Sequence, residues 1–123
     1  MIKTEEYMTS PVITAQIGDN LLEVSKKMDH YNIGSMVVMD GDKTVGILTE
    51  RDILRKIVAQ EKNPKQFKAK DVMSKHLQVV QKGATLMEIA SLMKAHTMRR
   101  IVVMDGSKPA GIVTSRDLID LLV

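Results

Sequence analysis

The chain has 123 residues, 44% of them apolar and 27% charged, a globular balance that excludes wholesale disorder. Lys and Arg number 18 against 15 Asp and Glu, and a net +3 does not by itself indicate a nucleic-acid binder. No Cys is present, which excludes disulfide scaffolds, cysteine zinc sites and thiol catalysis; no apolar run approaches the roughly 18–20 residues that span a bilayer, and Met1–Glu6 holds no signal core, so a cytoplasmic protein is expected.

In chain order, Met8-Thr9-Ser10-Pro11 interrupts any opening helical turn, because Pro11 disfavours helix in the residue before it. Val12-Ile13-Thr14 predicts a short strand. Asp19 or Asn20 can cap a helix running to about His30, with Leu21, Leu22, Val24, Ser25 and Met28 on one face. Met36–Met39 is a β-branched run typical of a buried strand, Asp40-Gly41 supplies a positive-φ hairpin turn, and Val45–Leu48 returns as its partner. Thr49 then caps a helix whose apolar face is Ile53, Leu54, Ile57 and Val58.

The same order recurs 65 positions later. Val37-Val38-Met39-Asp40-Gly41 returns as Val102-Val103-Met104-Asp105-Gly106, and Gly46-Ile47-Leu48-Thr49-Glu50-Arg51-Asp52 as Gly111-Ile112-Val113-Thr114-Ser115-Arg116-Asp117. The second copy predicts elements over Leu77–Val80, Leu86–Ala95, Ile101–Met104, Ala110–Val113 and Ser115–Leu122. The expected fold is α/β (α+β): two β-α-β-β-α repeats, packed sheet to sheet about a pseudo-two-fold axis, since neither half alone buries enough apolar surface. The expected borders are 1–60 and 71–123, joined by a polar linker over 61–70.

The doubled Thr-x-x-Asp at the strand-to-helix corner has two readings. Thr49/Asp52 and Thr114/Asp117 can be capping boxes with Asp in place of Glu or Gln. The same corner can instead hold a ligand: free N–H groups suit a phosphate, an Asp offers two acceptors to neighbouring ribose hydroxyls, and Arg51 or Arg116 can add charge-assisted contacts. His30, His76 and His96 form no metal-ligand spacing, and Gly41–Gly46 and Gly106–Gly111 lack the Lys of a phosphate loop. No nucleophile–base pair stands out, so an enzyme is not expected.

Taken in order and twice over, these motifs, with Tyr7–Val12 and Asp71-Val72-Met73-Ser74 as openings, resemble a tandem pair of CBS domains, a Bateman module. The resemblance implies a stand-alone regulatory module that binds AMP, ADP, ATP or S-adenosylmethionine in clefts between the repeats and signals to a partner protein. It places the ribose-binding acid on Asp52 and Asp117 and the hydroxyl beside sugar and phosphate on Thr49 and Thr114. Pro11, Val12, Ile13 and Leu77 would line the adenine slot. The family's basic pair at the middle strand falls on Arg99 and Arg100, where the first copy has Gly34 and Ser35, and His76 and Gln78 also depart from their counterparts Pro11 and Ile13. A metal is not implied.

Two other readings compete. A ligand-free interaction module would use Thr49 and Thr114 only as caps and form a homodimer through Ile53-Leu54-Ile57 and Leu118-Leu121-Leu122. A small basic nucleic-acid binder would rest on the linker lysines, yet only three residues are aromatic and no recognition-helix pattern accompanies them.

Overall fold

The computed structural model describes residues 2–123. The chain forms two compact units. The first is Ile13–His76; the second joins the segment ending at Val12 to Leu77–Val123. These units differ from the expected borders 1–60 and 71–123, because each takes its opening segment from the other repeat.

In the first unit, β1 (Thr14–Gln16) lies parallel to β2 (Ser35–Asp40), and β2 is antiparallel to β3 (Lys43–Thr49). β1 starts later than the expected Val12–Thr14, because its pairing runs from Thr14 opposite Val37 to Gln16 opposite Met39. Helix α1 (Leu21–Tyr31) connects β1 to β2. Asn20, not Asp19, is its cap and accepts from the Leu22 amide at 2.9 Å, while Asp19 turns back to accept from Gln16 N. Asn32, in the left-handed region at φ 53°, ends the helix. The hairpin turns at Gly41, φ 63°, and the Gln16 side-chain amide bonds both backbone groups of that glycine.

The corner after β3 opens α2 (Glu50–Ile53), which widens at once into a π-helical turn over Leu54–Val58. The widening breaks the expected 3.6-residue stripe. Ile57 is fully buried, but Leu54 and Val58 face solvent. The stretch expected as a linker is built into this unit. The Asn20 amide donates to Lys65 O, the Leu21 amide to Phe67 O, and Ala69 is buried at the start of α3 (Ala69–Val72). The core gathers Leu21, Val24, Met28, Met36, Val38, Leu48, Ile57 and Val72. Each such aliphatic side chain stabilises the fold by about 1.5–3 kcal/mol.

The second unit repeats this plan. β4 (Val79–Gln81), β5 (Arg100–Asp105) and β6 (Lys108–Thr114) form its sheet, again with the first pair parallel and the second antiparallel. β4 likewise starts later than the expected Leu77, and Gln81 brackets Gly106 as Gln16 brackets Gly41. Thr85 caps α4 (Leu86–His96), and α5 (Ser115–Asp120) is a regular α-helix that packs on α4. The core joins Ile89, Met93, Ile101, Val103 and Val113, with Tyr7 and Met8 from the chain opening packed on it.

Candidate functional site

The two Thr-Asp corners are reciprocal capping boxes. In the first unit the Asp52 amide donates to Thr49 Oγ1 at 3.1 Å, while Asp52 Oδ2 accepts from Thr49 N at 2.9 Å and from Thr49 Oγ1 at 3.0 Å. In the second, Asp117 N donates to Thr114 Oγ1 at 3.2 Å and Asp117 Oδ2 accepts from Thr114 N at 2.8 Å. The capping reading of the sequence thus holds at both corners. It occupies one oxygen of each carboxylate and leaves the other for a further partner.

That second oxygen meets different surroundings. Asp52 Oδ1 lies 3.6 Å from Lys56 Nζ, and the same ammonium donates to Val72 O at 2.8 Å. The position equivalent to Lys56 is Leu121, and Asp117 Oδ1 has no hydrogen-bond or ion-pair partner among the described residues.

The backbone beside each corner is held by the exchanged openings. Ile47 and Ser74 trade two backbone bonds, 3.0 and 2.8 Å, and Thr9 and Ile112 do the same at 3.0 and 3.2 Å. Both approaches require glycine next door. A Cβ on Gly46 would lie 2.7 Å from Ser74 O, and one on Gly111 would lie 2.8 Å from Thr9 O. So Pro11 and Val12 belong to the unit of Asp117, while Ile13 packs against the core of the unit of Asp52. Leu77, half-buried, starts the later segment of the second unit.

The basic residues are unevenly placed. Arg100 begins β5 directly opposite Thr114 in the antiparallel register, so the two side chains share one face of the sheet. Ser35 holds the matching place opposite Thr49. Arg99 is exposed, and its carbonyl accepts from Ser115 N at 2.8 Å. Arg51 is exposed, and exposed Arg116 points along its helix to Asp120 at 3.5 Å. No cluster of His, Asp and Glu suited to a metal ion exists among the described residues.

Lys56 escaped the motif reading, since it reads as ordinary helix charge. Tyr7 begins the opening motif of the first copy, and its hydroxyl is buried with no hydrogen-bond partner among the described residues. Burial, and after it the carboxylates of Asp117, Glu5 and Glu6, push its phenol above the ordinary value. Its proximity to Asp117 arises only because the opening segment folds with the second repeat.

The family model of the CBS domain matches residues 5–59 and again 69–123. An uncharacterized protein of Methanopyrus kandleri is 34% identical over 122 residues; the match covers 98% of this chain and 62% of that protein, so the chain spans less than two thirds of this relative. Among solved structures, the CBS domain of a CBS-domain-containing membrane protein from Sphaerobacter thermophilus superposes with a TM-score of 0.87 at 31% identity, covering 99% of this chain and 88% of that one. A hexameric CBS-CP12 protein from bloom-forming cyanobacteria superposes at 0.86 with 26% identity, covering 97% and 70%. No helix among the described residues is long and apolar enough to cross a membrane.

Proposed function

This chain belongs to the CBS-domain family, and on that premise we propose that it is a non-enzymatic regulatory module that binds an adenine-containing ligand: AMP, ADP, ATP or S-adenosylmethionine. The ligand's ribose diol takes the oxygens of Asp117, and of Asp52 where that corner is used. Thr114 and Thr49 sit beside sugar and phosphate, and at the second corner the adenine lies along Pro11, Val12 and Leu77 of the same unit. The observation that carries this reading is the second corner, where a carboxylate with one unpartnered oxygen, a capping threonine and Arg100 across the register come together. An acceptor pair fits a diol, and a guanidinium beside it suits phosphate. Bound ligand regulates a partner protein only through a preference for one conformation over another.

Calorimetric titration with the four ligands tests the proposal. Heat is expected for at least one, with Asp117→Ala abolishing the strongest event and Asp52→Ala leaving it. Absence of heat at millimolar concentration for all four would overturn it. A second reading, an interaction module that self-associates, is supported by the exposed apolar residues of the last helix in each repeat and by the hexameric relative. The two readings are compatible: a regulatory module can signal as a homodimer in the cytoplasm.

A further inference from the structure

The outer edges of the two sheets differ. Along β4, the Val102 amide donates to Gln78 O and the Lys82 amide to Met104 O, so the backbone groups of Gln78, Val80 and Lys82 turn toward β5. Those of Val79 and Gln81, between them, turn outward. β1 is built alike, with Thr14 and Gln16 at the outward places. There two side chains cover the edge. Lys27 Nζ donates to Thr14 O at 2.8 Å, and Asp19 Oδ2 accepts from Gln16 N at 2.9 Å. A lysine laid on a sheet edge keeps other strands from adding to it.

The second repeat lacks both covers. Leu92 stands where Lys27 does and Ala84 where Asp19 does, and neither side chain can form a hydrogen bond. Val79 O and Gln81 N have no hydrogen-bond partner among the described residues. Val79 is 46% exposed, and Val80 is partly open where its counterpart Ala15 is buried. Beside this edge, Val80, Met87, Glu88, Ser91 and Leu92 line a hollow of about 500 Å³.

A carbonyl and an amide two residues apart on one edge are the pair that an added strand engages, whether parallel or antiparallel. The residue set opposite Val80 shares its face of the sheet, over the hollow, so an apolar side chain fits there. A second copy would fill that place poorly. Pairing β4 with β4 about a two-fold axis sets Val80 of the second copy opposite, and that side chain already packs on its own core. We infer that the outer edge of β4 takes an extended segment of another protein, hydrogen-bonded at Val79 O and Gln81 N, with an aliphatic residue opposite Val80. This goes beyond the ligand reading and does not rest on it.

NMR titration of the full chain with acetyl-Lys-Val-Thr-Ile-Thr-Val-Lys-amide, whose side-chain order is the same in both directions, tests it. Amide shifts are expected at Val79–Gln81 and along α4, and hydrogen exchange at the Gln81 amide should slow at least about tenfold in the complex. Ala84→Asp/Leu92→Lys gives β4 the covers of β1 and should weaken binding at least about tenfold. Ala84→Asp alone leaves the lining of the hollow intact and should also weaken binding, as should Asp in place of the peptide's Ile. No shift at millimolar peptide, undiminished affinity in the double variant, or a Gln81 amide that becomes protected as the free chain is concentrated, the mark of β4 pairing with itself, would each overturn the inference. Nucleotide titration of the same variants reports on the ligand reading separately.

Discussion

At residues 49–56 and 114–121 the two units turn the same corner with the same cap, and there the likeness stops. In the first unit a lysine ties the outer oxygen of Asp52 and the carbonyl of Val72 together. In the second, Leu121 replaces that lysine, Tyr7 replaces Val72, and Arg100 replaces Ser35. The backbone frame depends on few residues: a capping threonine, an aspartate and a glycine that admits a neighbouring strand. Duplication kept these. Whether the carboxylate is free depends on residues around the frame, and those diverged. The outer oxygen of Asp52 has a lysine beside it, and that of Asp117 has no hydrogen-bond or ion-pair partner among the described residues.

Five substitutions probe this contrast, the largest effect first. Gly46→Val and Gly111→Val each place atoms within 3 Å of a backbone carbonyl and should lower stability by about 1–3 kcal/mol in thermal denaturation, equally if the frame is equivalent. A cost at one glycine only would break the equivalence. Lys56→Met removes a hydrogen bond to Val72 O and a partly screened ion pair, and should cost about 1 kcal/mol. Leu121→Met, at a position 40% exposed, should change stability by less than about 0.5 kcal/mol. Tyr7→Phe deletes a buried hydroxyl that has no partner and should leave stability unchanged or raise it by up to about 1 kcal/mol. Its pH dependence is a sharper test. Because the folded-state phenol titrates above its unfolded value of 10.0, the parent should keep full stability below pH 10 and lose it as pH rises further. Tyr7→Phe should lack that alkaline loss in denaturant titrations.

Much of the frame was legible because local chemistry decides it. Asn20, Gly41 and Thr49 act through their own backbone neighbours, and the repeat doubled each signal. Other features depend on tertiary partners. Val12 and Ile13 read as strand, yet pairing with Val37–Met39 begins only at Thr14. The stripe Ile53, Leu54, Ile57, Val58 presumes 3.6 residues per turn, and the π-helical turn leaves only Ile57 fully inside. Apolar spacing reports that Met8 and Met73 are partly covered but not by which repeat. The Lys56 bond to Val72 O and the orphaned Tyr7 hydroxyl follow from that exchange, so neither could be read from spacing, whereas the Asp52–Lys56 pair is an i,i+4 contact that spacing alone suggests.

The crossed openings also bear on how the chain can be divided. Because Met8–Thr9 completes the later repeat and Met73–Ser74 the earlier one, a cut through the middle of the chain at the repeat border would strip each part of the leading residues that bond to its sheet.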